Sequence, residues 1–108
     1  MVDNFADSLA SEATAAQRRQ HRRKRVMWAA KVEIDERSLD CGAFDVSLGG
    51  AKLRVKTAVP LKRAARLILD RFGWLRAIAV WQRGEAVGLR FLEPPERVRQ
   101  LFAGTLVL

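Results

Sequence analysis

The sequence predicts a mainly β domain: an antiparallel sandwich or barrel of six short strands, followed by a short C-terminal helix. Three observations predict it. The 108-residue length suits one core and lies well below the size at which cores split. Apolar and polar residues alternate with the period of two that half-buried strands require. No long helical stretch separates these segments, which disfavours an α/β layout.

The first strand is read from Val26–Ile34, rich in β-branched and aromatic residues, where Ala30, Val32 and Ile34 alternate with Lys31 and Glu33. Asp35–Ser38 reads as a turn and Leu39–Val46 as the second strand, broken by Ser47-Leu48-Gly49-Gly50. Two glycines in succession imply a tight turn with at least one positive φ, or a close backbone approach. Ala51–Thr57 alternates again, with Leu53 and Val55 on one face and Lys52, Arg54 and Lys56 on the other, until Val59-Pro60 ends it. Ala64–Asp70, Trp74–Arg83 and Ala86–Leu92 complete the six, separated by glycine-containing turns of hairpin length. Pro94-Pro95 stops the sheet. Pro95 suits the first position of a helix in which Val98, Leu101, Phe102, Thr105 and Leu106 share an apolar-leaning face. Leu106-Val107-Leu108 suits either helix packing or a partner contact.

Ahead of the strands, residues 1–17 are small, acidic and poor in bulky apolar side chains, the composition of a flexible tail. Phe5, Leu9 and Ala13 nevertheless recur at four-residue spacing, which permits a nascent helix or a weak docking face on a partner. Residues 18–108 form the expected domain.

Twenty Lys and Arg against 12 Asp and Glu give a net charge of +8, and Arg18–Arg25 alone carries six of the positive charges. Without that run the net charge is only +2, so the chain carries a focal anion site rather than a generally cationic surface. Five of the six are Arg, which offers phosphates and guanine edges planar bidentate geometry and stacks on bases. Cys41 is the only cysteine and His21 the only histidine. An internal disulfide is thereby excluded, and the ligands for a zinc site are too few. No apolar stretch approaches a membrane span and the N-terminus lacks the pattern of a signal peptide, so a cytoplasmic location is expected. No nucleophile with an adjacent base can be assembled, so catalysis is not expected.

Asp45-Val46-Ser47-Leu48-Gly49-Gly50 places an acceptor and a hydroxyl at a strand end beside a glycine turn. Alone it is an ordinary turn composition. Paired with the Arg-rich run it becomes specific: Arg19 to Arg23 matches RxxxR, Asp45 to Gly50 matches (D/N)xSxxG, and one hairpin lies between them. In order, spacing and context the two motifs resemble the PilZ domain, a family of bacterial cyclic di-GMP receptors. Later segments, GGAKLRV, Ala79 to Trp81 and Val87 to Phe91, resemble the family's later strands.

The resemblance implies a six-stranded antiparallel β-barrel with a C-terminal helix and a flexible N-terminal arm that wraps cyclic di-GMP against the outside of the barrel. Carried over to this chain, Arg19 and Arg23 would contact phosphates and guanine, with bidentate pairing to the O6/N7 edge. Asp45 would accept from guanine N–H groups, Ser47 would hydrogen-bond near the guanine, and Gly50 would keep the turn open. An Arg at the position of Arg18 accompanies a stacked ligand pair in the family. Arg22 stands where relatives often carry Pro, giving a less rigid and more basic arm. Arg18 and Arg22 also stand at RxxxR spacing, although the position of Val26 favours Arg19 and Arg23.

His21 occupies a variable position of the motif and reads as a bystander. Trp28, Trp74 and Trp81 read as core or barrel-surface packing, and Cys41 as a small buried apolar residue. No cofactor is expected beyond the nucleotide ligand, and output would pass through a protein partner. Two other readings stand beside this one: a PilZ-like adaptor that works by protein contact without the nucleotide, and a basic barrel that binds nucleic acid through its arm and tryptophans.

Overall fold

The structure, a computed structural model, describes residues 23–108. Arg18, Arg19, His21, Arg22 and the segment 1–17 lie outside the described residues. Six strands follow in chain order: β1 (Lys24–Ile34), β2 (Arg37–Val46), β3 (Gly50–Arg54), β4 (Ala64–Leu69), β5 (Gly73–Arg83) and β6 (Ala86–Phe91), then helix α1 (Pro95–Leu101). All neighbours pair antiparallel in the order β1-β2-β3-β6-β5-β4, and β4 pairs back to β1. The sheet is therefore a closed barrel with no open edge, which settles the choice between sandwich and barrel.

Alternation assigns the two faces. Ala30, Val32 and Ile34 of β1 point inward, with Leu53 of β3, Leu67 and Leu69 of β4, and Leu75, Ala77 and Ala79 of β5. The interleaved Lys31, Arg54, Arg66 and Arg76 face water. The many alanines inside let a barrel of only six strands close without overpacking its narrow interior.

The first hairpin is tighter than its four-residue sequence signal. Only Asp35 and Glu36 connect β1 to β2, at φ of 51° and 62°. Positive φ at both central positions matches strand twist, a geometry usually marked by Asn-Gly, and two acidic residues conceal it.

Helix α1 begins as expected, with Pro94 as its N-cap and Pro95 in its first turn. It stops at Leu101, however, and Gly104 at φ 89° continues the turns that follow, so Thr105 and Leu106 lie beyond the helix. The helix closes one side of the barrel through Val98 and Phe102, both fully buried. Phe102 stacks on Trp28 at 5.4 Å between ring centres, and Phe72 meets both rings edge-on or tilted. Trp28 thus belongs to the core contact expected of it.

Candidate functional site

Strand pairing brings Arg23, the described end of the first motif, to the second. Lys24 and Arg25 of β1 oppose Val46 and Asp45 of β2, so the last Arg of the arm, Arg23, arrives where the DxSxxG turn begins. Arg23 Nη1 donates to Asp45 Oδ1 at 3.4 Å, with side chains 55% and 16% exposed. A tight charge-assisted pair would sit near ~2.8 Å, and a loose, half-exposed pair of this kind contributes under ~1 kcal/mol. The two groups are aligned without being committed to each other.

The turn is locked internally. The buried Ser47 hydroxyl oxygen accepts the amides of Gly49 and Gly50 at 3.2 and 3.3 Å, and the Ser47 amide donates to the Gly50 carbonyl at 2.9 Å. The Phe91 amide donates to the Gly49 carbonyl at 2.8 Å and ties the turn to the end of β6. Ser47 therefore does the local work short hydroxyl residues do in turns. Gly50 has an equally physical reason: a β-carbon there would lie 2.1 Å from the Leu89 carbonyl oxygen. Of the two alternatives implied by the paired glycines, close backbone approach is the one realised, since the positive-φ glycines lie elsewhere.

A groove of about 560 Å³ opens beside this turn, lined by Arg23, the Ser47–Ala51 backbone, Lys52, Trp81, Arg90 and Glu93. Trp81, read from sequence as packing, is 37% exposed and forms part of this wall. A register shift between Ala79 and Trp81 re-aims it, and it stands opposite Gly88. A β-carbon on Gly88 would lie 2.2 Å from the indole Nε1. Gly88 thus lets the ring lie across the neighbouring strand, with the Arg83 guanidinium 5.9 Å over it, in the same groove as Arg23, Lys52 and Arg90. Only knowledge of register could have paired Trp81 with Gly88. Lys52 and Arg90 look in sequence like any outward-facing strand residue.

Glu93 supplies the groove's carboxylate, but its charge is already answered. Its side chain is 5% exposed, accepts the Arg76 amide at 2.9 Å, and forms ion pairs with Arg76 and Arg97 at 3.4 and 3.3 Å. The backbone amide of Arg76, reinforced by the two guanidiniums, holds its pKa below the ordinary carboxylate value. An anion entering the groove therefore meets the cations of Arg23, Lys52 and Arg90 and a neutralised acid.

The other singled-out residues sit apart. Trp74 lies on the outer surface between the Arg66 and Arg97 guanidiniums, 5.0 and 5.6 Å from its ring. Cys41 is half-buried rather than fully buried, and burial pushes its thiol up to about 11. Among the described residues no three His, Cys, Asp or Glu side chains are grouped to hold a metal ion. No helix among them is long and apolar enough to cross a membrane.

Fold and groove together define a small antiparallel barrel with a cationic, aromatic-walled cleft on its outside. The family model described as the PilZ domain matches residues 17–106, almost the entire chain. The chain belongs to the PilZ domain family, whose members are known as cyclic di-GMP receptors and are binding modules rather than enzymes. A comparison with curated protein sequences found no match.

Proposed function

We propose that this protein binds cyclic di-GMP in the groove beside the Ser47–Gly50 turn and signals through a protein partner. The observation that carries the reading is the juxtaposition of Arg23 and Asp45, 22 positions apart in sequence and 3.4 Å apart in space, with Arg23 lining the groove. Arg23, joined by Arg19 and Arg18 from the arm, supplies guanidiniums for phosphates and for the guanine O6/N7 edge. Asp45 exchanges its loose Arg23 contact for guanine N–H donors. Ser47 and Gly50 hold the turn that shapes the wall, and Trp81 offers a face on which a base stacks.

The protein's own contribution is preorganisation. Internal hydrogen bonds fix the turn, the closed barrel fixes the strands, and ordering of the arm over the ligand is the change a partner reads. Calorimetric titration of cyclic di-GMP, with GMP as control, tests this in wild type and in Arg23→Ala. Saturable binding at one or two ligands per chain, weakened at least tenfold by the substitution, is expected. Folded protein that gives no heat with the dinucleotide points instead to an adaptor without the nucleotide. Equal affinity for any oligonucleotide, falling steeply with salt, points to nucleic-acid binding.

A further inference from the structure

A second depression, of about 790 Å³, lies on the outer face of β1, β2 and β3. Two neighbouring irregularities build it. Pairing of β1 with β2 slips between Arg25 and Trp28, and pairing of β2 with β3 slips between Ala43 and Asp45. Such bulges re-aim side chains, and the residues at these slips are Val26, Met27 and Phe44. Met27 is 94% exposed, while Trp28 forms part of the lining and also reaches Phe72 and Phe102 on the core side. Single exposed apolar residues are ordinary, but a contiguous concave set marks a binding surface.

The rim is cationic. Arg54 lies over the Phe44 ring at 5.6 Å, and Lys56 is beside it in the lining. The one carboxylate of the lining, Asp40, is paired with Lys31 at 2.7 Å. The occupant that fits is therefore an apolar segment bearing acids.

The chain itself carries one. Residues 1–17 contain Asp3, Asp7 and Glu12 and no Lys or Arg, with Phe5, Leu9 and Ala13 at four-residue spacing. They connect through Arg18–Arg23 to a strand whose Val26 already lines the depression. At ~3.3 Å per residue the connecting stretch reaches about 20 Å, enough to turn back onto this face. We infer that residues 1–17 dock in this depression, with Phe5 and Leu9 against Met27, Trp28 and Phe44 and the acids facing Arg54 and Lys56. This inference stands apart from the nucleotide site.

Paramagnetic relaxation in the full chain tests it without nucleotide. A nitroxide is placed at Ser11→Cys in a Cys41→Ser background, with Cys41→Ala as a second background should the first fail to fold. Loss of most of the intensity of the Met27 methyl and Phe44 amide signals is expected at high dilution. Recovery on adding Phe5→Ser and Leu9→Ser is expected with it. Undiminished signals overturn the inference. So does broadening that appears only when labelled chains are mixed with unlabelled, isotope-enriched ones, since the occupant is then a second copy.

Discussion

At Glu93, one carboxylate joins three elements. It sits between β6 and α1, accepts an amide from β5, and pairs with Arg76 on β5 and Arg97 on α1. Because the folded state holds its pKa below the ordinary value, its contribution is present above the unfolded carboxylate pKa of ~4.3. It is lost as pH falls through the lower folded value. Urea unfolding at a series of pH values should show Glu93→Gln less stable than wild type at pH 7, with the gap closing in acid. A gap that persists unchanged below pH 3 would show that the stabilisation comes from shape rather than charge. Legibility at this scale was uneven. Arg23 and Asp45 carry motif chemistry that survives without coordinates, whereas the roles of Trp81 and Glu93 depend on which residues stand opposite them. Gly50 was visible as a special position, but its contact with the Leu89 carbonyl was not, because that partner is 39 positions away.

Among the elements, the β1–β2 hairpin holds unrelieved backbone strain. Glu36 at φ 62° adopts a conformation that costs a residue with a β-carbon about 1–2 kcal/mol. Glycine relieves this while losing about 0.5–1 kcal/mol of unfolded-state advantage. Glu36→Gly should therefore raise stability by up to about 1 kcal/mol, read as a higher urea midpoint at unchanged slope. A lower midpoint would mean that the Glu36 side chain makes a contact worth more than the strain. The strands themselves were legible because burial on one face writes a period of two into the sequence; five lie within two residues of their expected bounds, and β3 stops at Arg54, three residues short of Thr57. Turn geometry was less so: acids in place of Asn-Gly hid the two-residue hairpin, and the helix stopped short of Thr105 before its apolar-leaning pattern ran out.

For the whole molecule, closure is what makes the groove. Pairing β1 back to β4 removes both sheet edges, and the β2–β3–β6–β5 order sets the turn, Lys52, Arg90 and Trp81 on adjoining strands. Local alternation cannot choose between a barrel and a sandwich, since both bury one face of each strand. The resemblance carried by the two motifs supplied that choice, and the strand order agrees with it. The central claim is that cyclic di-GMP occupies this groove, and amide and indole chemical shifts on nucleotide addition test it most directly. Saturating shifts at the Trp81 indole N–H and at the Asp45, Gly49 and Gly50 amides, with the Trp74 indole unmoved, are the expected result. Shifts confined to the face around Trp74, or none in folded protein, would contradict it.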